Sequence, residues 1–240
     1  ENWLMTINAF IQSNNTKLLT GPVLFEPTYS ILERFQALDF TGMMQITAAG
    51  YANGNPILCN GANLTFSKSV FYEVGGYAGN EQIPSGDDLF LLEKIKKIYP
   101  SEVHFLKTSS ALIYTKPKSK ISEYVQQRLR WGTKTTKLKD KSTIITLGLI
   151  WLNCLNFTLG LFLAPFISFQ LWAIVVFVGS LKAIIDYVLL YNSTTFWKKR
   201  KLLRGFIISE FYHTFFTAII GLLGLFSKKA TWKSRTIRLD

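Results

Sequence analysis

The sequence predicts an α/β layered domain that runs into membrane helices, and three observations carry that expectation. Short apolar strands alternate with amphipathic helices through residues 1–141. Uncharged apolar runs long enough to cross a bilayer fill most of the remainder. Basic residues gather at the ends of those runs, with 16 Lys/Arg against 12 Asp/Glu in residues 1–141 and 11 against 3 in residues 142–240. The alternation of strands and helices supplies about half of a complete layered domain.

The first element is a helix over 3–11, from Trp3, Leu4, Ile7, Phe10 and Ile11 at helical spacing. Residues 18–25 read as a strand broken by a turn at Gly21-Pro22. An amphipathic helix follows over 31–46, with Ile31, Phe35, Leu38 and Gly42 on one stripe. Residues 56–66 read as the best strand, with Asn60-Gly61 marking a bulge or a close backbone approach. A short helix over 67–74 stops at Gly75-Gly76, and a further helix spans 85–98. Short strands at 103–106 and 111–114 lead to an amphipathic helix over 119–137.

Three apolar runs follow. Residues 142–164 contain no charge, and about 20 residues suffice to cross a hydrocarbon core of ~30 Å. Residues 166–191 are interrupted by Lys182 and Asp186, whose i, i+4 spacing lets them pair on one helix face. The third run, 205–226, carries Glu210 and His213 in its first half. The alternative for each run is a buried core helix, which their length without charge disfavours. The expected organisation is therefore a cytoplasmic domain over 1–141, a membrane region over 142–227 and a basic tail over 228–240.

The net charge of +12 does not point to nucleic acid. The cations collect at 116–141, 198–204 and 228–238, each beside an apolar run, which suits anionic membrane lipid. Cys59 and Cys154 lie far apart and read as free thiols in a reducing compartment. The chain shows no signal peptide and opens in the middle of a pattern at Glu1-Asn2-Trp3-Leu4, so it reads as a fragment.

Three constellations bear on chemistry. In Ser85-Gly86-Asp87-Asp88, Ser85 is a helix N-cap candidate with Asp88 three residues on. A helix N-terminus also favours an ionised carboxylate, and a positioned carboxylate can take a proton from an attacking hydroxyl. Asp87 and Asp88 could divide that work. In Gln127-x-x-Arg130-Trp131, the helical period puts Arg130 and Trp131 on either side of Gln127, opposite a stripe of Ile121, Val125 and Leu129. An amide, a phosphate-binding guanidinium and a flat indole are thereby presented together. The competing reading is an interfacial helix whose Arg and Trp snorkel at the lipid boundary. Cys59-Asn60-Gly61-Ala62-Asn63 is either a plain turn or a loop that lets a bulky acceptor reach the backbone.

Taken in order, Asn60-Gly61-Ala62-Asn63, Val74-Gly75-Gly76-Tyr77, Gly86-Asp87-Asp88 and Gln127-x-x-Arg130-Trp131, followed by apolar spans, resemble membrane-bound family 2 glycosyltransferases. The likeness is to bacterial cellulose, hyaluronan and poly-N-acetylglucosamine synthases and to glycolipid-forming enzymes, and it covers nearly the whole chain. Trp232-Lys233-Ser234-Arg235 resembles the W-x-G-R tail of many members, with Ser234 where Gly is usual. The resemblance implies a GT-A fold and inverting transfer of a hexose from a nucleotide sugar, usually UDP-linked, with Mg²⁺ or Mn²⁺. It implies Asp88 as general base and Asp87 as its support. It puts Arg130 on the donor pyrophosphate, Trp131 under the acceptor with Gln127 beside them, and Asn60, Gly61, Ala62 and Asn63 in the acceptor loop. Trp3-Leu4 looks like the segment that follows the metal-binding D-x-D, and no D-x-D occurs here. A fragment of this kind is expected to bind neither metal nor nucleotide well and to be inactive alone.

Positive-inside logic puts the catalytic part in the cytoplasm, at what the resemblance suggests is a bacterial inner membrane serving cell-envelope glycolipid or polysaccharide synthesis. A third full span would carry the tail outside against that rule, so 205–226 either breaks the rule or lies in, or re-enters, the interface. A processive polysaccharide synthase is the alternative within the enzyme class. A non-catalytic membrane scaffold or transporter component is the alternative outside it.

Overall fold

The computed structural model describes residues 2–26, 29–79, 86–135, 140–226, 229–232 and 235–238. It divides into two compact units, Glu1–Pro27 with Phe40–Pro117, and Thr28–Asp39 with Lys118–Asp240.

In the first unit, α1 (Trp3–Asn14) leads to β1 (Leu18–Thr20) and β2 (Val23–Phe25), parted at Gly21-Pro22 as the turn chemistry predicts. β1 pairs antiparallel with β3 (Leu64–Phe66) and parallel with β4 (Val103–Phe105), while β2 pairs parallel with β5 (Ile113–Thr115). All three residues of β1 are buried, as a strand covered on both faces requires. Alternation along it divides the core. Leu18 packs with Val70, Leu91, Leu92, Ile95 and Val103 from α3 (Lys68–Glu73), α4 (Asp87–Ile98) and β4. Leu19 turns to the other side, with Ile7, Leu106 and Ala111.

Two expectations need correction here. The strand expected over 56–66 is confined to Leu64–Phe66. Ahead of it the Asn60 side chain accepts a hydrogen bond from Ala62 N at 2.9 Å and starts a 3₁₀ turn over Gly61–Asn63, so the backbone leaves the extended path. The helix expected over 31–46 runs further, as α2 (Ile31–Ala52), with Ile31 itself exposed.

The second unit takes the start of α2, which opens on a reciprocal cap. Ser30 Oγ accepts from Glu33 N at 3.2 Å, and Glu33 Oε2 accepts from Ser30 N and Tyr29 N, both at 3.0 Å. Those backbone donors hold the Glu33 carboxyl below its ordinary pKa. The unit continues with α5 (Ile121–Thr135), α6 (Lys141–Ile167), α7 (Phe169–Phe196), a 3₁₀ segment Arg200–Gly205, α8 (Phe206–Phe226) and an antiparallel hairpin of β6 (Lys229–Trp232) and β7 (Arg235–Arg238).

Three helical segments, Thr143–Ile167, Phe169–Phe196 and Arg200–Phe226, are long and apolar enough to cross a membrane. They pack through small residues, as membrane helices do when backbones must approach. A Cβ added to Gly179 would lie 2.0 Å from the Phe157 ring, and one on Gly221 would lie 1.9 Å from the Trp151 indole nitrogen. Lys182 pairs with Asp186 as its spacing predicts and also reaches Glu210 on α8, so one half-buried cation is shared by two carboxylates on two helices.

Candidate active site

In the first unit the two carboxylates open α4. Gly86 precedes them with φ 105°, a left-handed conformation that a side chain would strain. Ser85, the N-cap candidate, lies outside the described residues. Asp88 is half-buried, and its Oδ2 accepts a hydrogen bond from Gly61 N at 3.0 Å. Oδ1 takes the N–H of Leu89, also at 3.0 Å. The fold thus brings together two of the motifs, 27 residues apart, and fixes the plane of the Asp88 carboxylate against the exposed Gly61-Ala62 turn. Asp87 beside it is exposed.

Asn63 departs from its expected place in the acceptor loop. Its side chain is 2% exposed and donates to Pro22 O at 2.9 Å and Ala111 O at 2.8 Å, while Trp3 Nε1 donates to its Oδ1 at 3.3 Å. A buried amide satisfied in this way is a frame residue. Gly21 is tied to it, since a Cβ there would lie 2.3 Å from the Asn63 amide. Gly61 and Ala62 remain as the exposed part of the loop, and Asn60 shapes it through its bond to Ala62 N.

Two tyrosines that sequence reasoning left out as site residues sit in the electrostatic field of these acids. Burial raises the Tyr77 hydroxyl above its ordinary pKa, and the charges of Asp87 and Asp88 raise it further. Burial also holds Tyr51 protonated, helped by Cys59 and Asp88 against the hydrogen bond at 2.7 Å to Thr20. Tyr77 belongs to the Val74-Gly75-Gly76-Tyr77 series, whose backbone is secured by Lys94 Nζ donating to Gly76 O and Ala78 O at 2.7 Å each. Tyr51 carries no signal in sequence.

The second unit holds Gln127, Arg130 and Trp131 on α5, all half-buried. The stripe expected from Ile121, Val125 and Leu129 is displaced: Tyr124 and Leu129 are buried and Ile121 is 56% exposed. The cause is Arg128, whose guanidinium pairs with Asp39 of α2 and draws its own helix face inward. Asp39 also accepts from His213 Nδ1 at 2.7 Å. Burial pushes the Asp39 carboxyl up, but the Arg128 charge and the His213 hydrogen bond outweigh it and hold it well below the usual carboxylate range. Asp39 raises the Arg128 pKa against the opposing effect of burial. A charge interrupting an apolar helix was the available signal for Asp39; its partners were not readable.

A family model described as glycosyl transferase family group 2 matches residues 1–199. The chain belongs to that family. No curated protein matches it. Membership makes the chain a glycosyltransferase sequence, and the match covers all three constellations as well as α6 and α7. Beyond the match, Trp232 and Arg235 of the tail are backbone partners in the β6–β7 hairpin register, with Lys233 and Ser234 outside the described residues. Among the described residues of this family 2 glycosyltransferase, no three His, Cys, Asp or Glu side chains converge as metal ligands.

Proposed function

We propose that this chain is the acceptor side of an inverting hexosyltransferase that moves a sugar from a nucleotide sugar, of UDP type, to a lipid or glycan at the cytoplasmic membrane face. The observation that carries the reading is the Asp88 carboxylate, held by the N–H groups of Gly61 and Leu89 beside an exposed small-residue turn. An acceptor hydroxyl lying over Gly61-Ala62 gives its proton to Asp88 as its oxygen attacks the anomeric carbon. The nucleoside diphosphate leaves from the opposite face, so the configuration inverts. Arg130 supplies a planar cation for the pyrophosphate and Trp131 a flat apolar surface for a sugar ring.

The third apolar segment supports a half-crossing in place of a full span. The contacts Phe157–Gly179 and Gly160–Val175 set α6 and α7 antiparallel, so α7 ends on the side where α6 begins. From there α8 starts, and the strand that follows it lies against α5, the helix that leads into α6. Both ends of α8 then lie on one side, which keeps the basic tail with the anionic cytoplasmic leaflet. In this topology the tail is on the same side as the catalytic part.

The test is nucleotide release from a panel of UDP- and GDP-sugars by membranes carrying the full-length protein, wild type beside Asp88→Asn. Release from one donor that disappears in the variant supports transfer, names the sugar and identifies the base. Equal release by both proteins removes Asp88 from the mechanism. No release from either, with acceptor lipids present and folding established, favours a non-catalytic scaffold.

A further inference from the structure

Trp131 is anchored through a chain of contacts that begins on the membrane helix α8. His213 Nδ1 lies 2.7 Å from Asp39 Oδ1, and the other oxygen of Asp39 accepts from Arg128. The Arg128 guanidinium then lies over two rings of its own helix, 5.1 Å from the Tyr124 centroid and 5.0 Å from that of Trp131. An aromatic cluster seals one side of the chain: Phe35 stands edge-on to Tyr124 at 5.6 Å and to Tyr212 at 5.4 Å, and Phe216 stands edge-on to Tyr124 at 5.2 Å. The Asp39 side chain is 11% exposed and that of Arg128 18% exposed. A buried carboxylate between two donors has one geometry open to it, so it sets the guanidinium, and the guanidinium sets the ring that it stacks on.

We infer that Asp39, Arg128 and His213 are positioning residues for Trp131, fixing the indole plane that meets the acceptor and tying it to helix α8. The inference rests on the transferase reading for what Trp131 contacts, but the anchoring itself is a property of this unit. A structural ion pair with no bearing on the site would not need to end on a motif residue. Here the cation that Asp39 fixes is shared between the buried Tyr124 and the half-buried Trp131. Arg128 touches neither donor nor acceptor in this scheme; it acts through the indole.

Two readouts test this in the full-length protein in membranes, with His213→Gln and Asp39→Asn as variants and Trp131→Phe as the reference. The difference in emission between wild type and Trp131→Phe isolates the Trp131 signal. Recording the same difference in each variant background should show it shifted to the red and more readily quenched by acrylamide. The acceptor KM should rise about fivefold, the effect of losing one ordinary hydrogen bond, with the donor KM unchanged within about twofold. Asp39→Glu should restore most of both. An unmoved Trp131 signal in both variants, or equal increases in acceptor and donor KM, would overturn the inference. A shifted Trp131 signal in a protein that transfers no sugar even as wild type would leave the anchoring standing and sink the transferase reading instead. If Asp39→Asn does not insert, His213→Gln still decides the question, because it trims one bond and leaves the Asp39–Arg128 pair in place.

Discussion

Asp88 and Asp39 show how two regions of one chain use the same side chain for opposite ends. Asp88, in the first unit, is half-buried and accepts from two backbone N–H groups beside an exposed turn. Asp39, in the second, is enclosed between Arg128 and His213, one of them a full cation. A carboxylate matched by cations in a closed site is a fastening, since moving it leaves uncompensated charge behind. One held by backbone donors beside an exposed turn is placed to meet an incoming hydroxyl, the role proposed for Asp88. The difference lies in the partners that the fold delivers.

The largest effect expected from breaking this comparison is at Asp88. Asp88→Asn should lower turnover by about 10²–10⁴-fold, the range for a general base, while membrane insertion stays as in wild type. A normal rate in the variant would show that the carboxylate is merely a helix cap.

Asp39→Asn should do the reverse, destabilising the second unit by about 3–5 kcal/mol because it leaves a buried guanidinium without its counter-charge. Denaturation in detergent measures this, and a loss below about 1 kcal/mol would place the pair among exposed surface bridges. The pH dependence follows from the depressed Asp39 pKa. Stabilisation from this group is complete above the ordinary unfolded carboxylate value of about 3.9 and is lost only as pH falls towards the lower folded value. Unfolding curves of wild type and Asp39→Asn should therefore run parallel at neutral pH and converge in strong acid. Divergence near neutrality would mean that another group titrates.

A smaller effect sharpens the account of the first unit. Asn63→Ala removes the donors to Pro22 O and Ala111 O and should cost about 1–3 kcal/mol through buried groups left unpaired. Its effect on acceptor binding should be no larger than this loss of stability explains. A selective rise in acceptor KM at full stability would return Asn63 to the acceptor loop. Smallest in energy is the tail: a cysteine placed near residue 236 should be protected from impermeant thiol reagents added to whole cells and labelled in inverted vesicles. The opposite pattern would make α8 a complete span.

Much of the fold was legible because it depends on periodicity and on backbone chemistry close in sequence. The break at Gly21-Pro22, the helices beginning at Trp3 and Ile121, and the pairing of Lys182 with Asp186 all follow from neighbours within a few residues. The strand over 56–66 was misjudged for a local reason as well: the Asn60 side chain competes with the ladder by bonding Ala62 N. In the candidate site, the residue types and their order were readable, whereas their division into surface and frame was not. Asn63 lies in the same short motif as Gly61, yet it faces Pro22 and Ala111 from 41 and 48 residues away.

By itself, then, the sequence determined the α/β class and the three apolar helices and singled out the candidate site residues, because spacing along one chain decides which side chains share a helix or a strand. Tertiary structure alone decided which aspartate was fastened and which was left at an open edge. Asp39 meets Arg128 across 89 residues and His213 across 174. Pairings of that range depend on how helices pack in three dimensions, and no local period encodes them.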